Sequence, residues 1–193
     1  MSRICGILLA AGSGSRFGSD KLLHPLLTGV PIAITAARNL KAALAHTLAV
    51  VRPGADELTA LLLAEGLEVV VCPNAEEGMG ASLACAVAAA PEEGGYVIAL
   101  ADMPYIRASS LIAVRDSLAN GVPLVAPYFR TRRGHPVGIG VRFRNELLMA
   151  SGDEGARQLL ERHAGELVKI PVGDPGVIRD VDRPCDLAPP LYV

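Results

Sequence analysis

A chain of 193 residues, 51% hydrophobic and 20% charged, suits one globular domain with one substantial core. A net charge of −2 excludes the broad basic field that draws nucleic acid or anionic membrane, and 4% aromatic content without Trp leaves no stacking platform for single-stranded nucleic acid. No apolar stretch approaches the ~20 residues that span a bilayer, and no signal-peptide pattern follows Met-Ser-Arg, so a cytoplasmic protein with a small-molecule site is expected.

The first predicted element is a fully buried strand over residues 4–9. It runs into Leu-Leu-Ala-Ala-Gly-Ser-Gly-Ser-Arg-Phe-Gly-Ser-Asp-Lys, a glycine-rich loop carrying Arg16 and Lys21. Gly12 and Gly14 let backbone N–H groups approach phosphate oxygens, and the two cations neutralise charge that small residues cannot. A kinase-type P-loop would need Gly-Lys-Ser/Thr opening a long helix, whereas Ser19 and Asp20 follow Gly18 and Pro25 comes soon after. A dinucleotide fingerprint would need a helix directly after the glycines and an acid about twenty residues on, and neither is present.

Helical spacing follows over 32–44, then a strand over 47–51 and a helix over 56–64 that stops before Gly66. A strand over 67–72, a helix over 82–89, a strand over 96–100, a helix over 109–118 and a strand over 124–126 continue the rhythm. Such alternation implies a mostly parallel sheet with helices on both faces, whose ligands bind at the carboxyl ends of the strands. From 128 to 140 the pattern changes to a hairpin or extended excursion around Arg130, Arg132, Arg133 and Gly134. Short helices are predicted over 144–150 and 153–163, the second capped by Asp153. The four cysteines, Cys5, Cys72, Cys85 and Cys185, show no paired spacing and read as reduced, mostly buried thiols.

Two acidic positions carry the chemistry. Asp102 stands where the strand Tyr-Val-Ile-Ala-Leu emerges, and Pro104 prevents the chain from continuing in the ladder. It faces the ligand crevice or caps the next helix; a hard oxygen ligand beside phosphates is what Mg²⁺ requires. Asp180 and Asp182 share one face if the segment 180–187 is extended, and Asp182 is the first choice for the second carboxylate. Taken alone, that segment also reads as a solvated turn closed by Asp186.

Five segments together resemble the molybdenum cofactor nucleotidyltransferases, and most closely their molybdopterin cytidylyltransferase branch. They are Leu-Ala-Ala-Gly-Ser-Gly-Ser-Arg-Phe-Gly with Lys21, Leu-Ala-Asp-Met-Pro at 100–104, Gly-His-Pro-Val at 134–137, Gly-Asp-Glu-Gly-Ala-Arg at 152–157, and Asp-Val-Asp-Arg-Pro-Cys-Asp-Leu at 180–187. The resemblance implies a single Rossmann-like α/β nucleotidyltransferase domain over residues 1–193. It assigns Ala10, Ala11, Gly12 and Gly14 to the nucleotide, Arg16 and Lys21 to the triphosphate, and Asp102 with Asp182 to Mg²⁺. Ser82 would lie near the base; Gly134, His135, Asp153 and Arg157 would line the acceptor side. Arg183 and Cys185 stand where the family more often has Thr and Glu.

The activity implied is transfer from CTP to the terminal phosphate of molybdopterin or molybdenum cofactor, with Arg16, Lys21 and Asp102 as catalytic residues. The product would pass to a molybdoenzyme or its chaperone. The same phosphate loop also serves guanylyl transfer or another phosphorylated acceptor, and a non-catalytic carrier of the cofactor is the rival from outside enzymology.

Overall fold

Alternation of apolar side chains along each strand decides where the two halves of the core form. In the computed structural model, which describes residues 4–12, 20–92, 94–153 and 155–189, the first strand β1 (Ile4–Ala10) is buried along nearly its whole length. Leu8 and Ala10 point into one hydrophobic cluster, and Cys5, Ile7 and Leu9 into another on the opposite face. The first cluster is covered by α1 (Ile32–Ala43), α2 (Asp56–Ala64) and α4 (Ala108–Ala119). The second is covered by α3 (Met79–Ala89), α5 (Arg144–Leu148) and α6 (Arg157–Arg162). This is the predicted α/β arrangement, helices lying on both faces of one sheet.

Among the described residues the sheet has eight strands. β3 (Glu68–Val71), β2 (His46–Val51), β1 and β4 (Gly95–Leu100) are neighbours in that order and all parallel. Beyond β4 the direction reverses: β7 (Val137–Gly140) is antiparallel to both β4 and β5 (Leu124–Phe129). β5 also pairs antiparallel with β6 (Arg132–Arg133) and parallel with β8 (Leu167–Pro171). The predicted excursion is thus a hairpin turning at Arg130, whose φ of 56° is left-handed, followed by a returning strand.

Beyond small shifts at element ends, β5 runs on to Phe129 where the sequence reading stops at 126, α5 stops at Leu148 rather than 150, and three further differences stand out. α3 begins three residues early, at Met79, because Gly78 adopts a φ of 115° and starts the helix directly. α6 is shorter than expected, with Ala156 rather than Asp153 before its first residue and no side-chain cap. β8 is an additional strand. Close approach of helix to sheet is set at Gly6, where a Cβ would stand 3.1 Å from Leu40 of α1 and from Thr47 of β2.

Candidate active site

β1 and β4 are adjacent and parallel, so their carboxyl ends open on the same side of the sheet. The Ala101 amide donates to the Leu9 carbonyl at 3.0 Å, extending the pairing by one residue, and the Met103 amide then turns back to the Leu100 carbonyl at 3.2 Å. Asp102 is left at the rim between them. Lys21 stands at the start of a 3₁₀ turn (Lys21–Leu23) that Leu22 anchors in the core. The third component comes from 80 residues beyond Asp102: Val181 is fully buried with Leu26 and Ile32, and its amide donates to the Asp102 carbonyl at 2.8 Å. That peg presents Asp182.

The Lys21 ammonium bridges the two acids, 2.9 Å from Asp102 Oδ2 and 2.9 Å from Asp182 Oδ1. Its side chain is only 11% exposed, against 25% for Asp102 and 46% for Asp182. Burial opposes the charge on Lys21, but the Asp102 carboxylate and the hydrogen bonds to both acids outweigh it and hold the ammonium above the usual lysine range. Asp180 lies close enough to feel the same group: burial, reinforced by the charges of Asp182 and Asp102, pushes its carboxyl up. Asp182, not Asp180, makes the ion pair with Lys21. The Asp182 and Arg183 amides both donate to Asp186 Oδ2, at 3.2 and 2.9 Å, so Asp186 fixes the turn that aims Asp182.

Two carboxylate oxygens converging on one positive nitrogen form a donor pair of the kind Mg²⁺ takes, with phosphates and water completing its shell. Among the described residues no cluster of three or more His, Cys, Asp or Glu is arranged to hold a metal. A site of two carboxylates that needs a polyphosphate to complete it fits that ion.

Gly134 and His135 flank the same rim. The His135 amide donates to the Val177 carbonyl at 2.7 Å, and a Cβ on Gly134 would stand 2.3 Å from that oxygen. Burial lowers the His135 pKa; a hydrogen bond to the Ile98 backbone and the nearby Asp102 charge resist this, while Arg133 adds to it. Its Nδ1 is buried with no hydrogen-bond partner among the described residues. Ala10 ends β1 buried, Ala11 is partly exposed and Gly12 exposed, with no described residue within 4 Å of where its Cβ would be. Gly14 and Arg16 lie outside the described residues.

The remaining sequence-predicted residues gather elsewhere. Gly80 donates its amide to the Gly152 carbonyl at 2.7 Å and its missing Cβ leaves room for the Ser151 backbone, so the 151–153 segment docks on the start of α3. Asp153 is exposed there, its Oδ1 against Gly78. Ser82 is buried beneath, its hydroxyl donating to the Gly78 carbonyl at 3.5 Å. Arg157 is exposed and pairs with Glu161 at 2.8 Å. A groove of about 370 Å³ lined by Glu146, Met149, Gln158 and Arg162 contains none of the Lys21 cluster, and an Arg162–Glu146 ion pair at 2.6 Å occupies its charges.

Sequence reasoning missed Asp174. It is 2% exposed and accepts from the Arg107 amide, the Ser110 hydroxyl and the Gly176 amide, tying the segment before Asp182 to the start of α4. The signal was available: Asp-Pro-Gly places a capping acid before a proline at the first position of a 3₁₀ turn.

Residues 6–167 match the model of the MobA-like NTP transferase domain, a span that includes Lys21 and Asp102 and stops before Asp182. The bifunctional protein GlmU of Rhodopseudomonas palustris is 33% identical over 190 residues, covering 89% of this chain but only 37% of its own length. Nicotine blue oxidoreductase of Paenarthrobacter nicotinovorans is 30% identical and is matched over 92% of its length and 93% of this chain. The crystal structure of Rv0371c from Mycobacterium tuberculosis superposes with a TM-score of 0.82 at 26% identity, over 95% of each chain.

Proposed function

This chain belongs to the family of MobA-like NTP transferase domains, and from that premise we propose that it is a Mg²⁺-dependent cytidylyltransferase acting on molybdopterin or its metal-bearing form. In the reaction an oxygen of the acceptor's terminal phosphate bonds to the α-phosphorus of CTP, the α–β bridging bond breaks, and pyrophosphate leaves with that electron pair. Residues 1–193 act as one nucleotidyltransferase domain in this reading. Its acceptor and base come from the resemblance of the five motifs, and the observation that carries its chemistry is the meeting of Lys21, Asp102 and Asp182 at one rim of the sheet.

The chain's own groups position and neutralise. Arg16 and Lys21 take the triphosphate, offsetting charge that grows on the departing pyrophosphate. Asp102 and Asp182 would hold Mg²⁺, which supplies further neutralisation of the phosphates. Ala11 restricts the space beside the base. His135, kept neutral by burial, offers the acceptor an uncharged ring rather than a proton, and an ionised phosphate needs no base. Ser82 serves by packing the start of α3 beneath the base.

The decisive experiment measures pyrophosphate release from CTP, GTP, ATP and UTP, each with molybdopterin and with sugar phosphates, with and without Mg²⁺. Mg²⁺-dependent release that requires CTP and molybdopterin supports the proposal. Release with another pairing keeps the nucleotidyltransferase chemistry and overturns the substrate assignment; no release from any pair favours a cofactor carrier.

A further inference from the structure

The position of Lys21 conflicts with the role of the acids around it. Its nitrogen stands between Asp102 and Asp182 at 2.9 Å from one oxygen of each, in the place a divalent ion bound by both would take. A divalent ion held by these same two oxygens would set its charge beside the ammonium, like charge against like charge. The backbone does not resolve the conflict by moving. Lys21 accepts at its carbonyl from the His24 amide at 3.1 Å, His24 accepts from the Ile32 amide at 3.0 Å, and Leu22 is buried in the core. Only the four-carbon stem can swing, and on the proposed reading a triphosphate bound beyond the end of β1 would offer its charge another anion.

We propose that Lys21 is an internal counter-ion that excludes divalent metal from the Asp102–Asp182 pair until a nucleoside triphosphate draws its ammonium away. The inference rests on the reading of those two aspartates as the metal ligands. It adds an order of events: the polyphosphate does not merely bring metal in, it vacates the site by offering Lys21 a better anion. Metal and lysine are then mutually exclusive between the acids and cooperative once nucleotide is bound.

The test uses Mn²⁺ as probe, its free concentration read by electron paramagnetic resonance, so that no turnover is involved. Without nucleotide, Lys21→Met should bind Mn²⁺ at least about tenfold more tightly than the wild type, because two adjacent, partly exposed acids have lost their counter-ion. With saturating CTP and no acceptor, that advantage should vanish or invert. Lys21→Gln, which keeps a neutral donor between the acids, should show the same direction and replaces the methionine variant if the latter does not fold. Equal or weaker Mn²⁺ binding in the folded variant without nucleotide overturns the proposal. The double change Lys21→Met with Asp102→Asn separates the two ideas: loss of the gained affinity confirms where the metal binds, whereas tightening that survives means the ligand reading itself is wrong.

Discussion

Replacing Gly134 by Ala tests whether the segment following β8 is a rigid part of the active site. The added Cβ would stand 2.3 Å from the Val177 carbonyl oxygen and 2.7 Å from Val177 Cγ2. Since real Cβ contacts below 3.0 Å are essentially unknown, the 177 backbone must retreat by ~0.7 Å or more. The retreat also breaks or stretches the 2.7 Å bond from the His135 amide to that oxygen. Overpacking costs about 1–3 kcal/mol and a lost hydrogen bond about 1 kcal/mol, giving about 2–4 kcal/mol together. For a chain of this size each kcal/mol moves Tm by about 2–4 °C, so differential scanning calorimetry should show a drop of about 4–16 °C. Four residues on, Val181 is bonded to Asp102 and Asp182 to Lys21, so the displacement reaches the charged cluster. A misplacement approaching 1 Å costs about 10²-fold in kcat, read at a temperature where the variant remains folded. A Tm within about 1 °C of the wild type, with unchanged kcat, would show that this segment slides freely and would refute the argument.

Asp102→Asn should leave the protein folded, with a modest fall in Tm because Lys21 keeps only one of its two acids, while almost abolishing turnover, because the amide keeps the shape and loses the charge; near-normal turnover at saturating Mg²⁺ contradicts this. Asp174→Ala strands three donors, of which Ser110 is 2% exposed, and should lower stability by at least ~2 kcal/mol in a urea melt; a change below ~0.5 kcal/mol would mean that water replaces the carboxylate. Ala11→Gly should relax the preference for CTP over GTP more than it lowers activity with CTP, since a methyl group narrows the space beside the base. Thermal shifts with each nucleotide rank them without an acceptor: about 2.7 kcal/mol of stabilisation is expected at ~100 times Kd, and equal shifts with CTP and GTP in the wild type would defeat the steric argument.

The parallel half of the sheet was legible because its strands are continuous apolar runs. β1, β2 and β4 are buried on both faces and carry no competing pattern, and α2 falls on the predicted residues. β8 was not, for a physical reason: Leu-Val-Lys-Ile-Pro is short and mostly exposed or half-exposed, and its strand character comes from pairing with β5 rather than from its own alternation. β7 contains Gly138 and Gly140, which weaken any strand signal yet are required by packing, since a Cβ at Gly138 would stand 2.5 Å from Val125.

The acids of the site were legible as types. Asp102 follows a buried strand, and Asp182 was preferred to Asp180, the preference that matches the ion pair with Lys21. What no local pattern contains is the bridge itself, because it joins positions 81 and 161 residues apart. The motifs expected on the acceptor side were legible as motifs but not as structure. Gly134 with His135 meets Val177, and Asp153 meets Gly78, so the two segments belong to different junctions.

The burial of Val181 gives the enzyme a sense of timing. Among the described residues, the buried members of both large core clusters reach no further along the chain than Val177, and Val181 seats in a small cluster of its own with Leu26 and Ile32. A ribosome delivers residues in order, so the sheet can form around an Asp102 that has not yet met Asp182. The newborn protein would then be a folded scaffold without a working centre until the segment carrying Asp182 emerges and Val181 drops into place. A protease that removes the chain from residue 180 onward, leaving Asp174 and Val177 in place, would return the molecule to that juvenile condition, silencing it without melting it.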